Sequence, residues 1–265
     1  MKRWILPFLL CLLLCAPALA EGSGTPQFYA TVIHYSGEDD SEQKYLEISA
    51  RSEALFALLE QNADAFIMDG YNYLDIDGEG TPLYTMNDLS LPVDIDSAGH
   101  SIGVSMNYFL FNPIETANGQ SIEEQLVRDD NVWNILVPEH LREYEADILS
   151  EYLDDFYFRK VTAANYSNEE AGLPLLKTTE DELSVHIIYV KDNRITDPIA
   201  YIYTGNIHQS YAHSYLSQFA YFPSEAEDAE QAYAQIEPYV RQVGAEDSVQ
   251  SVRPVSEDFS ETVIP

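Results

Sequence analysis

Both cysteines of this 265-residue chain, Cys11 and Cys15, fall inside one apolar run at its start, so nothing from Glu21 onward can be cross-linked. Whatever the rest of the chain builds must be held by buried apolar surface, without disulfides and without a thiolate nucleophile or a thiolate-bound metal. A segment of about 245 residues is long enough to enclose such a core. Its residues suit that task, because 46% are hydrophobic and 12% aromatic, with 19 tyrosines. An acidic disordered chain, poor in aromatics, could not offset its own conformational entropy.

The run that holds the cysteines reads as a targeting segment. Lys2 and Arg3 precede apolar residues 4–15, and Ala18-Leu19-Ala20 supplies small residues where a signal peptidase reads them. The run is interrupted by Pro7 and is shorter than the roughly 20 residues a membrane span needs. Leu12-Leu13-Leu14 before Cys15 lacks the small residues of a lipoprotein signal. The expectation is a signal peptide or N-terminal anchor over 1–20, a single extracytoplasmic domain over 21–247, and a polar acidic tail over 248–265. With 13 Lys+Arg against 45 Asp+Glu, the formal net charge is -32. Nucleic acids and anionic lipid surfaces need clustered cations, whereas the longest basic features here are Lys2-Arg3 and Arg159-Lys160. The surface instead attracts cations and basic peptides.

Hydrophobic periodicity gives the elements. Residues 28–35 (FYATVIHY) predict a strand, and residues 52–63, with Ala54, Leu55, Leu58 and Leu59, a helix capped by Ser52. A strand over 65–76 leads through Asp77-Gly78-Glu79-Gly80 into a hairpin. An extended run follows at 102–111 (IGVSMNYFLF), then a turn at Asn118-Gly119 and a short polar helix at 121–126. A buried strand at 132–137 ends at Pro138, which opens a long helix over 139–158 with Arg159-Lys160 at its C-terminal end. Residues 185–190 and 199–203 predict two neighbouring strands, and 224–243 a last helix. The order implies an α+β fold with a mixed, mostly antiparallel sheet, two longer helices packed on it and no disulfides.

Candidate chemistry is sparse. Asp75, Asp77 and Glu79, with Gly80 in the sixth place, resemble the opening of a calcium loop, but Met86 stands where the bidentate glutamate belongs, so any calcium binding is weak. Asp94-Ile95-Asp96 before Gly99 is a fainter version. His34, His100, His140, His186, His208 and His213 form no pair spaced for one helix face, and His186 reads as a sheet residue. The phosphate-loop patterns are missing. No catalytic residue and no cofactor is predicted. Tyr215, Phe219, Tyr221 and Phe222 suit core packing, with sugar or peptide binding as the alternative. A binding site, if the chain carries one, is expected to have an acidic rim with exposed tyrosines.

Three stretches carry a likeness. They are Val104-Ser-Met-Asn-Tyr-Phe-Leu-Phe-Asn-Pro-Ile114 with Asn118-Gly119, Ile135-Leu-Val-Pro-Glu139 leading to Tyr144, and Val185-His-Ile-Ile-Tyr-Val-Lys-Asp-Asn193 with Asp197-Pro-Ile199 and Tyr203-Thr204. In this order, over about Ser101 to Gly244, the chain resembles the extracytoplasmic region of the bacteriocin-associated integral membrane proteins. These are multi-span proteins of Gram-positive bacteria that stand beside ABC-transporter ATPases and are taken to be permease or immunity components. The resemblance implies a non-enzymatic binding or sensing domain at the outer face of the membrane, with a peptide or a membrane protein as partner. It supplies no catalytic residues. The sequence departs from that family in having no second apolar stretch of membrane-spanning length, as in a stand-alone exported relative or a piece of a longer protein. Other classes remain: a secreted calcium-dependent binding module built on Asp75, Asp77 and Glu79, and a secreted hydrolase using carboxylates or histidine.

Overall fold

The computed structural model describes residues 27–34, 41–73, 93–99, 101–192 and 198–255. The expected targeting segment over 1–20 and the expected hairpin with Asp75, Asp77 and Glu79 lie outside these residues.

One eight-stranded mixed sheet organises the chain, in the order β5-β4-β6-β3-β2-β7-β1-β8. The strands are β1 (Gln27–Ile33), β2 (Phe66–Asp69), β3 (Ser101–Val104), β4 (Val132–Pro138), β5 (Ser184–Val190), β6 (Ile199–Ile202), β7 (Ala220–Ser224) and β8 (Val249–Pro254). β3 with β6 and β4 with β5 are parallel, and the remaining neighbours are antiparallel. The α+β, mostly antiparallel architecture without disulfides is therefore the fold of this chain.

Side chains alternate between the two faces of a strand, and here both faces are covered. Tyr29, Ile67, Trp133, Ile135, Val137, Tyr201 and Phe222 point into one core. Their strand neighbours Ala30, Phe66, Met68, Leu136, Ala200, Ile202 and Tyr221 point into the other. Double coverage explains why the strands read as unbroken apolar runs rather than as alternating ones.

The first core lies under the longer helices α1 (Glu42–Asn62), α4 (Glu145–Tyr157), α6 (Ser210–Gln218) and α7 (Ala229–Val243). α1 packs on α6 and α7, α6 on β1, and α7 on β8. α7 ends at Gly244, whose φ of 68° is the left-handed value that glycine adopts without a side-chain clash. The second core lies under short pieces, α2 (Tyr108–Phe111) and α3 (Ile122–Gln125).

Several sequence expectations need correction. α1 is capped eleven residues earlier than predicted, by Ser41, whose side chain accepts from the Lys44 amide. Ser52 is buried inside that helix, and the first core is covered by four helices rather than by two longer ones. The extended run over 102–111 breaks after Val104 because Ser105 and Asn107 bond elsewhere. The Ile67 amide donates to Ser105 Oγ at 3.1 Å, and Asn107 Nδ2 donates to the carbonyls of Glu60 (2.6 Å) and Ala65 (3.1 Å). The chain then folds Tyr108 and Phe111 back onto Phe66, with ring centroids at 6.0 and 5.4 Å. β5 and β6 do not pair, because β4 lies between them. The strand over 65–76 stops at Asp69, and Tyr71–Tyr73 form a 3-10 turn. The last helix begins at Ala229, since residues up to Ser224 belong to β7.

The tail expectation also fails in its first part. Val249–Pro254 form the edge strand β8 against β1, with Val249 and Val252 buried. Ending the chain at Ser248 should therefore cost at least about 3 kcal/mol from those two side chains alone, read as a lowered melting temperature in calorimetry.

Candidate functional site

The helix after β4 has a different course from the single one predicted. A 3-10 stretch over Glu139–Tyr144 precedes α4, and a π-helical turn over Phe158–Thr162 joins α4 to α5 (Ala163–Glu170). Such wide turns often mark functional positions. Arg159 and Lys160 sit in this turn and not at a helix end, and their side chains are only 17% and 13% exposed. Lys160 Nζ donates to the Asp130 carboxylate (2.7 Å), the Asp130 carbonyl (3.0 Å) and the Asn206 carbonyl (2.9 Å).

Arg159 reaches inward to the sheet. Its Nε donates to both oxygens of Asp155, one turn back, at 3.0 and 2.9 Å, and its Nη1 donates to the Tyr201 hydroxyl at 3.2 Å. The guanidinium lies over aromatic faces, 4.9 Å from the Tyr201 centroid and 5.1 Å from that of Tyr211. Tyr201 Oη donates to Asp69 Oδ2 at 2.6 Å and stands 3.2 Å from the Tyr215 hydroxyl. Having given its one proton to Asp69, Tyr201 must accept from both Arg159 and Tyr215. A directed chain results, in which a cation and an anion share one tyrosine oxygen.

Three local features make room for this chain. Gly103 pairs with Tyr201 across the sheet, and a Cβ at Gly103 would come within 2.3 Å of the Tyr201 ring. Only glycine lets that ring lie across β3. The Tyr71 amide donates to Asp69 Oδ1 at 3.0 Å and orients the carboxylate. Asn72 Nδ2 ties the 3-10 turn to the Ser97 carbonyl at 3.2 Å and to Ser101 Oγ at 3.2 Å.

Beside the chain is a cavity of about 180 Å³, lined among others by Asp69, Tyr71, Arg159, Tyr201, Tyr211 and Tyr215. Burial, with Asp69 adding to it, pushes the phenols of Tyr201 and Tyr215 upward, so both remain protonated donors. Burial alone would lower the Arg159 pKa, but Tyr201, Asp155 and Tyr215 outweigh it and the guanidinium is held charged. The cavity therefore offers a fixed cation, a carboxylate and neutral hydroxyls between aromatic walls.

The other candidates fall elsewhere. Asp75, Asp77 and Glu79 lie outside the described residues, as does His100. Asp96 caps a turn, accepting from the Ala98 amide at 2.8 Å. Among the described residues no group of three or more His, Cys, Asp or Glu side chains converges as a metal site. His140 Nδ1 meets Asp192 at 2.8 Å on the surface, and His186 Nε2 meets the Gln125 carbonyl at 3.0 Å. His213 Nδ1 is 3.0 Å from Ser52 Oγ, but Ser52 is 3% exposed, so its oxygen cannot reach a substrate. Tyr215 and Phe219 line the cavity, while Tyr221 and Phe222 are buried packing. Arg159 and Asp69 were missed because no motif joins them. The one local clue was a basic pair among carboxylates in a long apolar-patterned helix.

Comparison with protein-family models, with curated proteins and with solved structures gives no match.

Two outcomes follow from this geometry. Tyr201→Phe leaves Arg159 Nη1, Asp69 Oδ2 and the Tyr215 hydroxyl without their shared partner, which should cost about 1–3 kcal/mol in urea unfolding with the fold retained. Burial lowers the pKa of His208 and His213 from the ordinary 6.5, with Glu42 partly opposing it at His208. The unfolded chain therefore takes up these protons first. Their contribution is complete above pH 6.5 and is lost as the pH falls below it. From about pH 7.5 to about pH 5.5, stability should fall less steeply in His213→Gln than in the native protein.

Proposed function

We propose that this chain is a non-enzymatic extracytoplasmic domain that binds or senses a peptide or a membrane-protein partner, in the manner that its resemblance to the bacteriocin-associated membrane proteins suggests. One observation carries the reading. A polar cavity is built into the covered face of a rigid sheet, and the groups facing it are a paired guanidinium, a carboxylate and protonated tyrosines. Those groups are equipped to hold a ligand by hydrogen bonds and charge. The balance of 13 basic against 45 acidic residues adds long-range attraction for a basic peptide. The export signal read over 1–20 supports a place outside the membrane. Among the described residues no helix is long and apolar enough to cross a membrane.

Calorimetric titration of the purified protein with cationic antimicrobial peptides tests the peptide arm. Binding at low salt that weakens at least about tenfold on raising the ionic strength is the expected result, since attraction between exposed charges is screened. Absence of heat at low salt across a set of such peptides would remove it.

A further inference from the structure

We propose that the Asp69/Arg159 cavity is a receptor site for a small zwitterion, a free α-amino acid whose carboxylate lies on Arg159 and whose ammonium lies on Asp69. The inference rests on the reading of the chain as a binding domain and names a ligand class for its cavity.

The argument begins with the valences that the protein leaves open. Arg159 spends Nε on Asp155 and Nη1 on Tyr201, and among the described residues nothing accepts from Nη2. A guanidinium edge of this kind is suited to a carboxylate, with charge-assisted hydrogen bonds in a fixed plane. Asp69 accepts one hydrogen bond at each oxygen, from the Tyr71 amide and from the Tyr201 hydroxyl. Each carboxylate oxygen keeps a further acceptor site, and among the described residues Asp69 has no ion-pair partner. The two charges are held together by the single Tyr201 oxygen, so they stand no further apart than two consecutive hydrogen bonds. An α-amino acid carries its own two charges on either side of one carbon, a matching separation.

Electrostatics then selects among ligands. A plain anion placed on Arg159 would be the third negative charge beside Asp69 and Asp155. A plain cation placed on Asp69 would face the guanidinium across Tyr201. A zwitterion alone sets each of its charges against the opposite one, at close range and partly out of water, where such pairing is strongest. An ammonium is also served by the lining, because Tyr71, whose amide bonds Asp69, and Phe219 give the cavity aromatic surface. Tyr71, one of the lining residues, is 53% exposed, so the cavity wall reaches the surface there. A cavity of about 180 Å³ has room for one small molecule and not for a folded segment.

A thermal-shift survey of the common L-amino acids on the purified protein, followed by calorimetry of the strongest, tests the assignment. The comparison is with the N-acetyl derivative, which lacks the ammonium, and with the α-amide, which lacks the carboxylate. The expected result is that blocking either end weakens binding at least about tenfold. Asp69→Asn, which keeps an oxygen for the Tyr201 hydroxyl, should lose amino-acid binding while its circular dichroism and melting stay close to native. No shift with any amino acid would overturn the site, and so would an amide or N-acetyl derivative that binds as well as the parent. Salt-sensitive peptide binding together with silence to amino acids would sink this inference and leave the peptide reading standing. Amino-acid binding without peptide binding would do the reverse.

Discussion

A guanidinium drawn inside an apolar face must find partners there, because an unpaired buried charge costs several kcal/mol. The helix-covered half of this protein is arranged around that requirement. Arg159 enters from a π-helical turn, is neutralised by Asp155 on the same helix, and hands one N–H to Tyr201 in the centre of the sheet. Tyr201 in turn fixes Asp69 on β2 and Tyr215 on α6, so one phenolic oxygen connects the sheet with helices before and after it. Trp133 stacks on Phe156 at 5.4 Å and lies 4.9 Å from Tyr201, which encloses the polar group in aromatic surface. Gly103 keeps the place open.

The same arrangement accounts for the cavity. Close packing would normally fill space beside a buried side chain, but a polar group with an open edge is poorly served by apolar neighbours. Tyrosines and serines line the space instead, and the result is a concave polar site on a covered face. Among the described residues most carboxylates around it hold few ion pairs of consequence. The pairs with both members well exposed, such as Arg128 with Glu123, contribute little. Folding is carried by the two cores, and the acidic surface is free to serve solubility and attraction of cations.

Much of the fold is legible in the sequence because each strand is a short β-branched or aromatic run with turn residues beside it. β1, β4, β5 and β6 begin and end within a few residues of where the pattern places them. The capping box of α3, with Ser121 and Glu124 exchanging hydrogen bonds, is also a local signal. What misled was context. The run over 102–111 is apolar throughout, and only the hydrogen bonds made by Ser105 and Asn107 with distant backbone stop it being one strand. Val249 and Val252 sit in a polar stretch whose two valines gain meaning from β1. Insertion of β4 between β5 and β6 is a matter of crossover topology, which hydropathy does not report.

The sequence by itself determined that the chain beyond residue 20 is held without disulfides, by apolar strands and helices dense enough in aromatics to form a core, under a strongly acidic surface. Those properties depend on composition and on spacing between near neighbours. Only the tertiary structure decided that Arg159, read from sequence as a helix-end cation, turns inward to meet Asp69 and Tyr201. The three residues lie on separate elements far apart in the chain. Their meeting depends on strand order, on a π-helical turn and on the missing side chain of Gly103, and none of these has a local signature.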